Sequence, residues 1–190
     1  MDKDFKLKNL LFIIPHPDDE IVGTCAIIKR FIKQNKNIYL FFLTNGVVPQ
    51  SSLMFWQKKQ HSHMKKIRIF EMKSCIKELG VKGYFYQDIP TRTLKNRIYE
   101  TFLKIKKIIK SKNIDALFCP AYEGGHQDHD VSNFICSKLK RFCKIFEFSE
   151  YNFFDNKINC NLFFDKKVKP KIYFLTNEEK KFKKKCLKIY

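Results

Sequence analysis

The chain has 190 residues, 44% hydrophobic and 15% aromatic, enough to bury a sizeable core and too apolar for a disordered or mini-protein reading. Its formal net charge of +19 suggests a polyanionic partner, yet only Arg30, Arg68, Arg92, Arg97 and Arg141 are arginines. Lysine in such excess, with abundant Phe, Ile and Asn, fits the codon bias of an A+T-rich genome better than a dedicated nucleic-acid grip, which mixes in the bidentate arginine fork.

A short continuous apolar strand over residues 10–14 opens the pattern and stops at Pro15-His16-Pro17. From 20 to about 34, Ile21, Val22, Ala26, Ile28, Phe31 and Ile32 recur at helical spacing. A second strand over 38–43 ends at the turn signal Thr44-Asn45-Gly46. Residues 47–62 lack a clear period and read as a long loop holding the only tryptophan, Trp56. A helix over 63–79 follows, with Gly80 placed to cap it in a left-handed conformation.

Then come a strand at 83–86, a helix at 94–111 and a strand at 114–119 that halts at Pro120. The segment Tyr122-Glu123-Gly124-Gly125-His126-Gln127-Asp128-His129 opens a helix to about 141, and a strand over 144–150 closes the pattern. Beyond Asn152 the periodicity blurs, and the lysine-rich tail at 177–188 reads as a solvated amphipathic helix. Strands alternating with helices predict an α/β three-layer sandwich with a mostly parallel, Rossmann-like sheet. No repeat or linker divides the chain, so residues 1–190 read as one domain.

Seven cysteines form no C-x-x-C pair, which points to reduced, mostly buried thiols in a cytoplasmic protein. The first residues carry mixed charge instead of a signal-peptide pattern, and no apolar run approaches the roughly 20 residues of a transmembrane helix.

Two histidine motifs sit where a strand gives way to a helix. In open α/β sheets ligands bind beyond the carboxyl ends of the strands, so the segments after residues 14 and 119 can meet in one crevice. In Pro15-His16-Pro17-Asp18-Asp19-Glu20, a tight turn into a helix brings His16 and Asp19 to one side while Asp18 projects separately. With His129 they supply two imidazoles and a carboxylate, a set that leaves an open position, as catalytic zinc sites do. Asp18 then stands free to act as general base. Proline and acidic residues also start helices by themselves, but that leaves His16 and the second loop unexplained.

These two motifs, Pro-His-Pro-Asp-Asp-Glu and Gly-His-x-Asp-His, resemble the signatures of the LmbE-like, or PIG-L, zinc-dependent de-N-acetylases. The resemblance runs from about residue 10 to 131 and takes in Thr44-Asn45-Gly46, Arg68 to Glu71 and Leu79-Gly80, with a looser echo to Leu175-Thr176 and the last helix. It implies removal of acetyl from N-acetylglucosamine units in glycolipid, polysaccharide or nucleotide-sugar precursors. It also implies zinc on His16, Asp19 and His129, Asp18 as base, and His126 as the oxyanion donor with Asp128 holding its imidazole; by their chemistry such ligands tolerate ferrous iron too. The chain departs from the family in carrying Thr24 and Cys25 after Gly23 where members often have glycine, and the resemblance leads to the expectation of a further C-terminal segment about where the sequence reaches Tyr190.

Other residues carry two readings each. Arg68 either clamps an anionic group of the substrate or pairs with Glu71 at i,i+3. Met54, Phe55 and Trp56 either stack on a sugar or pack the loop onto the core. His61 and His63 read as solvent-facing histidines, and Cys25 and Cys119 as inert core thiols. The expected partner is an N-acetylated amino sugar, with an anionic carrier and peripheral contact at a membrane surface as further uses of the lysines. No dedicated nucleic-acid partner is expected. Two competing functions are a basic nucleic-acid- or membrane-surface-binding module with a vestigial metal site, and a deacylase of a non-sugar amide.

Overall fold

The computed structural model describes residues 7–154, 156–165, 167 and 169–190. The mixed-charge start of the chain lies outside these. Five parallel strands, β1 (Asn9–Ile14), β2 (Asn37–Phe42), β3 (Gly83–Tyr86), β4 (Ala116–Pro120) and β5 (Lys144–Phe148), form one sheet in the order β3-β2-β1-β4-β5. The two central strands are buried on both faces, which is why they read as unbroken apolar runs rather than alternating ones.

Alternate residues of those strands build two cores. Leu11, Ile13, Phe41 and Leu117 pack with Ile105, Ile108 and Ile109 of α5 (Ile98–Lys112) and Ile135 of α6 (Gln127–Ser137). Leu10, Phe12, Leu40 and Phe42 face α2 (Cys25–Lys33), α4 (His61–Leu79) and α7 (Asn177–Leu187). Fully buried side chains of this size contribute about 1.5–3 kcal/mol each, so these faces fix the strand registers. Phe12 and Phe118 stack across β1 and β4 at 4.6 Å. The expected α/β three-layer arrangement is therefore present, with the sheet wholly parallel.

Several expectations are corrected. The helix expected over 20–34 is broken into α1 (Asp19–Val22) and α2: Gly23 keeps helical angles, but the backbone leaves them at Thr24, φ −131° and ψ −5°. Gly23 is pressed against the hairpin side of the molecule, where a Cβ would lie 2.3 Å from Glu150 Oε1. The long loop contains a 3-10 turn, Gln50–Ser52, and a short helix, α3 (Phe55–Lys58). The helix expected at 94 starts as a 3-10 turn, Leu94–Arg97. Gly80 caps α4 at φ 71° as expected.

The blurred region after residue 150 forms an antiparallel hairpin, β6 (Tyr151–Phe154) with β7 (Lys157–Cys160). The tail helix is not merely solvated. Cys186 is fully buried, Phe182 packs on the second core, and the capping box Thr176/Glu179 starts the helix. All seven cysteines are free and five are buried; burial pushes the Cys25 thiol up to about 11, so it is inert. Among the described residues no helix is long and apolar enough to cross a membrane.

Candidate metal centre

The chain runs from β1 outward through β2 and β3, then returns to add β4 and β5 on the other side of β1. The crevice at the carboxyl ends of β1 and β4 is therefore the switch point where such sheets bind ligands. His16 follows β1 and His126 to His129 follow β4, so topology alone brings the two motifs together.

The loop after β1 is held by the Thr44-Asn45-Gly46 turn. Thr44 Oγ1 and its backbone N–H donate to the Pro15 carbonyl at 2.8 and 3.1 Å. Asn45 Nδ2 donates to Asp88 Oδ1 at 2.9 Å. Gly46 is required twice over, by its φ of 71° and because a Cβ would sit 3.0 Å from Pro17 Cδ.

Three donor atoms converge above this loop. Asp19 Oδ2 lies 3.2 Å from His16 Nδ1 and 3.2 Å from His129 Nε2, and those two nitrogens are 3.3 Å apart. Ligands about 2.0–2.1 Å from a tetrahedral ion stand roughly 3.3 Å from one another, so the triangle fits a small divalent cation. The backbone N–H of His16 donates to the same Asp19 oxygen at 2.8 Å and fixes the carboxylate. Burial opposes ionisation of Asp19, but His129 and His16 together hold its carboxyl well below the usual range. His126 is also close enough to share an ion with His16 and His129, as is Glu150 with Asp19 and His129.

Each converging histidine has a carboxylate behind it, and a hydrogen bond to such a carboxylate fixes the ring tautomer. His16 Nε2 donates to Asp128 Oδ2 at 3.0 Å, and His129 Nδ1 faces Glu150 Oε2 at 3.3 Å. Burial would lower the His16 imidazole, yet Asp128 and Asp19 push it up to about 10 in the metal-free chain.

Here the role expected for Asp128 changes. Its carboxylate also accepts from Thr91 Oγ1 and Arg92 N–H, and it supports His16; only its backbone N–H, 3.1 Å from Nδ1, meets His126. That contact makes His126 the N-cap of α6. With Nδ1 accepting, the proton of the neutral ring sits on Nε2. Burial, then the nearby His16, lowers the His126 imidazole and keeps it neutral.

Asp18 stands at φ 121° and ψ −32°, a strained conformation for a residue with a side chain. Its N–H donates to Glu20 Oε2 at 3.0 Å, and Tyr190 Oη donates to Glu20 Oε1 at 2.5 Å, so the tail braces this turn. Burial, then the charge of Asp19, pushes the Asp18 carboxyl up to about 6, while Arg68 opposes them. Arg68 pairs with Glu71 at 3.3 Å and lies over the Tyr190 ring at 5.7 Å.

Sequence reasoning missed Glu150 and Tyr151. Both stand at the start of the hairpin, the Tyr151 ring 5.7 Å from that of His129. Glu150 read as the last residue of the strand expected over 144–150, and a lone carboxylate at a strand end gave no signal. His61 also departs from its expected exposure, its Nε2 meeting the Val48 carbonyl oxygen at 3.0 Å; His63 is exposed.

A family model described as GlcNAc-PI de-N-acetylase (PIG-L) matches residues 11–140. No curated protein sequence matches the chain. Among solved structures, N,N'-diacetylchitobiose deacetylase from Pyrococcus horikoshii is 22% identical with a TM-score of 0.68, covering 97% of this chain and 70% of that one. A deacetylase of the teicoplanin biosynthesis pathway is 13% identical with a TM-score of 0.73, covering 96% and 83%. The zinc-inhibited form of teicoplanin deacetylase is 12% identical with a TM-score of 0.71, also covering 96% and 83%. At these identities the likeness is one of fold.

Proposed function

The chain belongs to the GlcNAc-PI de-N-acetylase (PIG-L) family, and from that premise we propose that it is a metal-dependent hydrolase removing the acetyl group from an N-acetylglucosamine-type amino sugar. The observation that carries the reading is the 3.2–3.3 Å triangle of His16, Asp19 and His129 with a separate carboxylate, Asp18, beside it. His16, Asp19 and His129 would hold the ion; the mixed nitrogen and oxygen set suits zinc, and ferrous iron as well. A divalent cation there supplies Lewis acidity, which polarises an amide carbonyl and acidifies water.

The protein's own groups do the rest. Asp18, with a carboxyl near 6, takes a proton from the water that attacks the acetamide carbon. His126 donates its Nε2 proton as a hydrogen bond to the carbonyl oxygen while that oxygen gains charge, a contribution on the order of 3 kcal/mol. The C–N bond then breaks, Asp18 returns its proton to the amine, and acetate leaves. Asp128 orients His16 rather than His126 in this scheme. Arg68, beside Asp18, is assigned to an anionic group of the substrate, and the +19 charge favours an anionic carrier for the sugar.

Acetate release by zinc-loaded protein from N-acetylglucosamine-bearing lipids, nucleotide sugars and pseudo-disaccharides tests the reading. Asp18→Asn should keep its zinc and lose roughly 10²-fold or more of the activity. His129→Ala should lose stoichiometric zinc by elemental analysis. Equal metal loss in Asp18→Asn and Asp19→Asn would remove the distinction between base and ligand, and a wild-type protein inactive on the whole panel would remove the deacetylase reading.

A further inference from the structure

Helix α4 carries apolar side chains on two faces, and the fold uses one of them. Ile69, Met72, Cys75, Ile76 and Leu79 pack into the core. Met64, Ile67 and Phe70, spaced i, i+3, i+6, are exposed, Phe70 by 71%. Just before them Met54, Phe55 and Trp56 of α3 and its cap also stand in solvent, Phe55 by 76% and Trp56 by 54%, with their rings edge to face at 4.7 Å. Six large apolar side chains on adjoining elements mark an interaction surface rather than scattered surface residues.

The surrounding charge selects the occupant. From residue 48 to 77 the chain has seven lysines and arginines against one carboxylate, Glu71, and that carboxylate is already paired with Arg68. Lys58, Lys59, Lys66 and Lys73 are exposed among the apolar residues. A symmetric dimer through this face would set the lysines of one copy against those of the other, and the cores of such interfaces are depleted in lysine. Single-stranded nucleic acid would stack on Phe55 and Trp56 but leave Met54, Met64 and Ile67 without a partner.

An anionic bilayer meets every requirement. Its acyl boundary takes Met, Ile, Phe and Trp, its headgroups take the ammonium groups, and the lysine stems lie along the apolar surface between. The same helix also reaches toward the candidate centre. Arg68 lies between Ile67 and Phe70 in sequence and its charge acts on Asp18. Lys65 bonds Asp88, which in turn holds Asn45 of the turn under His16.

We infer that α3 and the first half of α4 form an interfacial anchor that docks this protein on anionic lipid bilayers. Docking does not depend on the deacetylase reading. If both hold, the sugar substrate is presented from the membrane surface.

Trp56 is the sole tryptophan, so its fluorescence reports the face directly. Vesicles of phosphatidylcholine with phosphatidylglycerol should shift its emission to the blue and carry the protein with them on flotation, less so as salt rises. Pure phosphatidylcholine vesicles should do neither. The double variant Phe55→Ser with Phe70→Ser, checked by its thermal melt against the wild type, should partition about tenfold or more weakly. The inference is overturned if anionic vesicles leave the wild-type emission and flotation unchanged. It is also overturned if a blue shift grows with protein concentration in the absence of lipid together with dimer sedimentation, or if single-stranded DNA alters the emission and anionic vesicles do not.

Discussion

His16 and His129 are each backed by a buried carboxylate, but Asp128 and Glu150 lie in opposite surroundings. Asp128 Oδ2 accepts from His16 Nε2 at 3.0 Å, Thr91 Oγ1 at 2.9 Å and Arg92 N–H at 2.6 Å. Burial would raise its carboxyl, yet these donors, His16 first, hold it below the ordinary range. Neither carboxyl oxygen of Glu150 has a hydrogen bond among the described residues, and burial, then the charges of Asp19, Asp18 and Glu123, pushes it well above the ordinary range. The surroundings of one support thus favour its charge, and those of the other oppose it. The number of donors aimed at a buried carboxylate, more than its depth, decides between the two.

Asp128→Ala tests the charged support and should have the larger effect. Removing the carboxylate behind a metal-binding histidine typically costs about 10–100-fold in metal affinity, read here by competition with a zinc chelator. It also leaves the buried Thr91 hydroxyl without its acceptor and the Arg92 N–H without this one, so the melting temperature should fall.

Glu150→Gln keeps the shape and should cost about tenfold or less near neutral pH. Its sign with pH is the sharper measure. When Glu150 must give up its proton for His129 Nδ1–H to bond it, wild-type affinity rises with pH by that proton. The glutamine variant lacks this rise, so the two affinity curves should separate as pH increases. Parallel curves would mean that Glu150 and Asp128 are alike.

Glu20 stands between the two cases, fully buried but with donors from Asp18 N–H and Tyr190 Oη. Burial leaves its carboxyl raised from 4.5 to about 8, so the stability it contributes is complete below 4.5 and is lost as pH climbs toward 8. Tyr190 favours the charged form. Tyr190→Phe should therefore destabilise by about 1 kcal/mol, the typical net worth of one hydrogen bond, and by more at pH 8 than at pH 5 in chemical denaturation.

The converging residues were legible because their signals are local. His16, Asp18 and Asp19 fall within four residues at a strand end, and His129 falls after a second strand, so spacing and position alone nominated them. The turn at Thr44 was legible too, though not its task of holding the Pro15 carbonyl. Glu150 was not, since it read as the end of the strand over 144–150, whereas that strand stops at Phe148 and Glu150 leads into the hairpin. The break at Thr24 was hidden because helical periodicity runs through it, and so was the approach of Glu150, 127 positions away, to Gly23.

By itself, then, the sequence determined the elements and the donor types, because burial period, turn chemistry and motif spacing act over a few residues. Tertiary structure alone decided which groups serve which. The Asp128 side chain turns to His16, 112 residues distant, because Thr91 and Arg92 supply donors on that side, while His126 is left to the backbone of the same residue. The exposed second face of α4 was decided in the same way. A helix apolar on two sides reads as buried until the fold shows one side exposed among the described residues.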